Sequence, residues 1–197
     1  MMKIEAAHRK ALSALIASDE NRLRLLRQVE ALHLPDCWVG AGFVRSAVWD
    51  SLHGYAPGSS WDDVDVVWFD RDNAMPQADE LIEQRLGSEE PAITWSVKNQ
   101  ARMHRHNDDQ PYGSTEDAVF RWPETATAIA IRTGKGAIEI IAPHGLNDLF
   151  SLIVRPTPAF AGQKIGIFRE RVQKKGWLAR WPLLVIQDFE NGGRYRD

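Results

Sequence analysis

Residues 64 to 69 leave this chain the least freedom. Val64, Val66, Val67, Trp68 and Phe69 are β-branched or aromatic, types that suit a pleated surface and crowd a helix. The run predicts a buried central strand, and the remaining elements must then be arranged to cover it. Just ahead of it, Gly54, Pro57, Gly58, Ser59 and Ser60 supply loop chemistry. Asp63 and Asp65 therefore stand at the mouth of the strand.

The neighbouring segments read as helices and strands that such a sheet requires. Ile4, Ala7, Ala11, Leu12, Leu15 and Ile16, then Leu23, Leu26, Val29 and Leu32, follow the 3.6-residue period of two helices, with Ser18 and Asp19 as break and N-cap. Pro35 ends that run. Cys37, Trp38 and Val39 form a short strand feeding into Gly40, Ala41 and Gly42, and a helix follows from Val44 to Leu52. Pro76 opens another helix carrying Leu81, Ile82 and Leu86. Ile93, Trp95 and Val97 then alternate with polar residues as a half-exposed strand does.

Farther on, His104 to Gly113 reads as a mobile polar loop, and Ser114 with Asp117 gives a capping signal for a short helix ending near Pro123. Ala128 to Arg132 and Ala137 to Ala142 flank Thr133, Gly134, Lys135 and Gly136 as a hairpin. Leu146 to Leu152 suggests a short helix, and Gln163 to Lys175 a final one. Residues 191–197 read as a frayed tail. The fold class expected is α/β (α+β), a mixed central sheet flanked by helices, in one domain with a core at about 36–156 and helical additions at 1–34 and 162–182.

Composition narrows the function classes. The 197 residues carry a formal net charge of -3 and one cysteine. Overall electrostatics do not favour nucleic acid, because counterion release needs clustered cations. Cys37 can form no internal disulfide and belongs with the core. No stretch approaches the roughly 20 apolar residues of a membrane span, and the start lacks a leader's apolar run, so a cytoplasmic location is expected. Five tryptophans (Trp38, Trp49, Trp61, Trp68 and Trp95) fall in or beside predicted core elements and read as packing residues.

The segment that carries chemistry is a strand, a small-residue turn, a helix bearing Arg45, and a second strand opening on Asp63-Val64-Asp65. Small residues let backbone amides approach a phosphate, and the helix start adds partial positive charge. Carboxylates at i and i+2 of a strand share a face and can share a cation. Mg²⁺, or Mn²⁺, takes one or two carboxylates plus substrate phosphates, so a nucleoside triphosphate would complete the site. Alone, two acids at a strand mouth are more often solvent-facing; the order of the elements is what favours ligands.

That order resembles the superfamily of DNA polymerase β, the kanamycin-type nucleotidyltransferases and the tRNA CCA-adding enzymes. Val39-Gly40-Ala41-Gly42-Phe43-Val44-Arg45 is similar to the Gly-rich motif of the CCA-adding group, with Ala41 where a second Gly is usual and Ser46 where Asp is frequent. Asp63 and Asp65 fall on the superfamily's acid pair. The blocks Lys98 to His104, Arg121 to Thr127 and Ala142 to Phe150 resemble a bacterial family of nucleotidyltransferase-like proteins from about Trp38 to Trp181. The resemblance implies Mg²⁺-dependent transfer of a nucleoside monophosphate to an acceptor hydroxyl. Asp63 and Asp65 would then be the catalytic metal ligands, and Gly40, Gly42, Arg45 and Lys98 would meet nucleotide. It also implies an acid between Trp95 and Val97, where this chain has Ser96. Glu139 is the candidate third carboxylate, since an acid between Ile138 and Ile140 must face solvent or a partner.

Other features have plainer explanations. His104, His106, Asp108 and Asp109 have metal-ligand types but sit in the polar loop. Lys98, Asn99, Gln100 and Arg102 end a strand, where they touch ligand or satisfy backbone. Glu124 is expected to be structural. From Gln163 to Arg180, six cations outnumber Glu170, so a polyanion face is weighed against a solvated one. No nucleophile elbow, P-loop or dinucleotide fingerprint is present. Three readings follow: an enzyme, a nucleotide-binding module that has lost turnover, and, more weakly, a nucleic-acid partner docked along the basic helix. The acceptor is not legible.

Overall fold

The computed structural model describes residues 2–56, 63–134 and 136–188, with the backbone of 194–195. The loop residues Pro57 to Ser60, Trp61, and Lys135 in the hairpin turn lie outside the described residues, as does most of the 191–197 segment. Two helices, α1 (Met2–Ala17) and α2 (Glu20–Glu30), open the chain, and the Asp19 side chain caps α2 by accepting from the Arg22 amide. They lead into β1 (Trp38–Gly40), α3 (Gly42–Leu52), β2 (Val64–Trp68), α4 (Pro76–Glu89) and β3 (Trp95–Asn99). After a 3-10 turn come α5 (Thr115–Phe120), capped by the Ser114 side chain, and the hairpin β4 (Ala130–Gly134) and β5 (Ala137–Ile141).

These strands form one mixed sheet in the order β3-β2-β1-β4-β5, parallel only between β2 and β3. Alternation along the strands gives it two faces. Val39, Val64, Val66, Val97 and Ile131 bury one face in a cluster with Leu12, Leu25, Leu26, Phe43 and Val44 from α1, α2 and α3. On the other, Trp38, Val67, Ala130 and Ile141 pack with Val119 of α5. Asp65, one residue out of phase with Val64 and Val66, falls on that second face. The β-prone run is therefore the interior strand that its composition predicts.

The chain closes with α6 (Asn147–Phe150), β6 (Ile153–Val154), α7 (Ile165–Lys175), α8 (Trp177–Arg180), β7 (Val185–Gln187) and β8 (Arg194–Tyr195). β6, β7 and β8 form a second small sheet that the sequence reading did not anticipate. Within the supposed tail, residues 194–195 pair with β7. The loop before α5 is likewise more tied down than its polarity suggests. Tyr112 is buried there, and its hydroxyl donates to Asp109 at 2.8 Å while accepting from Asn107 at 3.1 Å. Trp38, Trp49, Trp68 and Trp95 are all buried packing residues.

Candidate active site

The Gly-rich segment makes a strained turn. β1 ends at Gly40, and Ala41 adopts φ 46°, ψ -113° before α3 begins at Gly42. A side chain is costly in that conformation, and such strain persists only where the surroundings enforce it. Here the Ala41 amide donates to the Ile129 carbonyl at 3.0 Å, which ties the turn to the chain entering β4. Gly42 follows as the first helical residue, whose amide has no acceptor within the helix and so faces outward. A Cβ on Gly42 would lie 3.5 Å from a terminal nitrogen of Arg45 and 3.8 Å from Asp63 Oδ1. The Asp63 carboxylate thus stands at the helix start.

Asp65 joins it from the strand. It pairs with Gly40 across the antiparallel β1–β2 register and with Ser96 across the parallel β2–β3 register. Burial, then the charge of Asp63, pushes the Asp65 carboxyl up to about 6, while a hydrogen bond from Ser96 and the positive charges of Lys175 and Arg45 oppose the shift. A buried carboxylate with a second acid beside it is best stabilised by a cation. The donor set fits Mg²⁺: two oxygen ligands beside a helix start that can take the phosphates supplying the rest. Among the described residues, no group of three or more His, Cys, Asp or Glu side chains is arranged to hold a metal.

Arg45 braces this site from below. Its guanidinium is buried, 4.8 Å from the ring centre of Trp177, 5.7 Å from Trp49 and 5.9 Å from Trp181. Trp177 and Trp181 lie one turn apart on and just beyond α8, a spacing visible in the sequence. The same segment delivers Lys175, the exposed last residue of α7, where Gly176 in the left-handed region turns the chain toward Trp177. Sequence reasoning placed Lys175 elsewhere, in a basic C-terminal helix.

The remaining candidates are not gathered here. Glu139 lies on β5, with β4 and β1 between it and β2, and its carboxylate accepts from Arg132 Nε at 2.7 Å. The acid between two isoleucines found its partner across the hairpin, not at the aspartates. Lys98 shares a strand face with Ser96, but its ammonium lies 3.7 Å from Glu83. Gly40 serves a packing role besides the turn, because a Cβ there would lie 2.5 Å from the ring of Trp122. Asn99 is fully buried, and its amide group ties down Asp70, Asn73 and Ala101, while Arg102 pairs with Asp79. His104 packs edge-on against Tyr112, and Asp109 pairs with Lys164 at 3.3 Å. Glu124 is fully buried and structural, accepting from Arg171 and Thr127.

The basic C-terminal segment is mostly neutralised from within. Lys164 meets Asp109, Arg169 meets Asp188, Arg171 meets Glu124 and Arg180 meets Asp50. A face whose cations are spent on the protein's own carboxylates has little charge left for a polyanion.

The family described as nucleotidyltransferase matches residues 27–186. An NMR structure described as revealing a CCA-adding enzyme head domain is 30% identical, with a TM-score of 0.82 over 91% of this chain and 95% of that one. The Thermotoga maritima CCA-adding enzyme complexed with tRNA is 16% identical at a TM-score of 0.56, over 90% of this chain and 42% of its own. An apo tRNA-processing enzyme is 21% identical at 0.54, over 85% and 44%. The chain spans less than half of either of these two, and that likeness is one of fold. No curated protein matches. Among the described residues, no helix is long and apolar enough to cross a membrane.

Proposed function

The chain belongs to the nucleotidyltransferase family, and from that premise we propose that it moves a nucleoside monophosphate from a nucleoside triphosphate to a hydroxyl acceptor with Mg²⁺ or Mn²⁺ at Asp63 and Asp65. The observation that carries this reading is the convergence of the two carboxylates on one turn. Asp63 Oδ1 lies 3.8 Å from the Cβ position of Gly42, and Asp65 is the strand partner of Gly40. A divalent ion supplies charge neutralisation on the triphosphate and alignment of the attacking oxygen. The Gly42 amide and the start of α3 receive phosphate oxygens, and Lys175 adds a mobile positive charge at the rim. Arg45, held among three indoles, keeps the helix start electropositive without leaving its place.

A second reading is supported by Ser96. A hydroxyl stands beside Asp65 where the family resemblance implies an acid, and Glu139 is engaged by Arg132 elsewhere. With two carboxylates, the site binds nucleotide and turns over slowly or not at all. Nucleic acid as the acceptor has weak support, since four of the six cations near the C-terminus already have acidic partners.

Thermal shift with each of the four ribonucleoside triphosphates, with and without Mg²⁺, tests the site. Saturation at one hundred times Kd stabilises the native state by about 2.7 kcal/mol. Metal-dependent shifts lost in Asp65→Asn are expected. Pyrophosphate release in the same samples separates the enzyme from the module. Shifts that ignore both the metal and the substitution would remove the assignment.

A further inference from the structure

Among the described tryptophans, Trp122 alone is left only partly buried by its packing. It follows α5 in the block Arg121 to Thr127 and is only partly covered by the cluster of Trp38, Val67, Val119, Ala128 and Ala130. Its six-membered ring presents an outer edge to Gly40: a Cβ on that glycine would lie 2.5 Å from Cη2 and 3.1 Å from Cζ3. Gly40 is the cross-strand partner of Asp65, and both residues point to the same face of the sheet. The ring therefore lies on the sheet face that carries Asp65, over the strand next to it.

Its pose is set in advance. The Thr157 hydroxyl donates to the Trp122 carbonyl at 2.7 Å, the Thr157 amide donates to the Pro123 carbonyl at 2.9 Å, and Thr157 itself is fully buried. The Trp122 amide donates to the Val119 carbonyl at 3.1 Å, and Glu124, two residues on, is locked by Arg171 and Thr127. A large ring clamped on both sides of its backbone, and admitted to the sheet by the missing side chain of Gly40, loses little freedom when a flat ligand meets it. A buried tryptophan would need none of this to fill a core.

The geometry points to Trp122 as the stacking platform for the base of the nucleotide held at Asp63 and Asp65. This inference rests on the proposed nucleotide site and adds to it the residue that grips the base. Every base offers a π-face, so such contact raises affinity for all nucleotides and selects weakly among them. Aromatic replacements retain it and aliphatic ones do not.

The test compares two probes, ATP and inorganic tripolyphosphate, each with Mg²⁺, by calorimetry on wild type, Trp122→Leu and Trp122→Phe. The tripolyphosphate shares the charged portion of the ligand and lacks a base. Expected is a loss of about tenfold or more in ATP affinity for Trp122→Leu, with tripolyphosphate binding within about twofold of wild type and most ATP affinity kept by Trp122→Phe. Equal losses for both probes, or no loss for either, would overturn the inference; Trp122→Phe, which keeps a ring over Gly40, guards against a variant that merely fails to fold. If wild type binds neither probe, the nucleotide reading itself fails. If wild type binds tripolyphosphate and ATP equally well, that reading stands and the stacking assignment falls.

Discussion

The Ser96 hydroxyl donates to the Asp65 carboxylate across the parallel β2–β3 pair. This one contact stabilises the charged form of an acid that burial and Asp63 both oppose. Ser96→Glu would put a third carboxylate at that spot. In metal-free buffer the added like charge is expected to lower stability by about 1–2 kcal/mol, a fall of a few degrees in Tm for a chain of this size. Millimolar Mg²⁺ should restore it and bind more tightly than to wild type. Calorimetry with and without EDTA checks both; a Mg²⁺ response no larger than that of wild type would place the cation elsewhere.

Asp65→Asn should separate stability from function. The carboxyl is raised from 3.8 to about 6 in the folded protein, so between those values the native state binds more protons than the unfolded one. Stability from this group therefore falls as pH rises from about 4 to 6 and stays low above. Removing the charge is expected to stabilise the metal-free protein by about 1–2 kcal/mol at pH 7.5, after screening, and by almost nothing at pH 4. Urea unfolding at the two pH values reads the difference. The same variant should lose its Mg²⁺-dependent response to nucleotide.

Ala41 carries a Cβ at φ 46°, and Ala41→Gly removes that strain. The gain of about 1–3 kcal/mol is partly offset by the greater freedom of glycine in the unfolded chain, leaving a net stabilisation of about 1 kcal/mol. Denaturant midpoints test the sign. Gly40→Ala should behave oppositely, because its Cβ meets the clamped ring of Trp122; a drop of about 2 kcal/mol or more is expected.

Burial pushes the Cys37 thiol up to about 12, with the charge of Asp36 adding to the shift. A neutral thiol is a poor nucleophile. Iodoacetamide at pH 8.5 is expected to label native protein at least tenfold more slowly than protein in 8 M urea, read by intact mass.

Local signals carried much of this fold. Pattern and capping residues marked every strand of the main sheet and most helices: Asp19 and Ser114 cap α2 and α5 because a short acceptor before an apolar run has few other uses. Val64 to Trp68 declared an interior strand by composition, and the period of two set Asp65 on the face opposite Val64 and Val66. What escaped depended on partners distant in sequence. Glu139 looked like a stray acid because its alternation with isoleucines says nothing about Arg132 across the hairpin. Trp177 and Lys175 reach the site only because Gly176 turns the chain between α7 and α8, and nothing local links residue 177 to Arg45. The two-residue strand β6 was too short to leave a pattern.

The basic C-terminal segment shows the same limit, and it yields a stability prediction. Read along the chain, Arg169, Arg171, Lys174 and Lys175 form a charged helix face; in the fold, Arg171 Nε donates to Glu124 Oε1 at 2.7 Å, and Glu124 is fully buried. Thr127 supplies its other bond, at 2.5 Å to Oε2. Removing the guanidinium leaves a carboxylate with no room to reach water and one remaining donor, the situation in which breaking a buried pair costs several kcal/mol. The partial exposure of Arg171 reduces that figure, so Arg171→Ala is expected to lose about 2–4 kcal/mol. The double variant Arg171→Met with Glu124→Gln should recover part of the loss, because the uncompensated charge is gone. Urea denaturation of the single and double variants decides it: a single variant within about 0.5 kcal/mol of wild type would mean that Arg171 is a solvated cation after all, available to a polyanion.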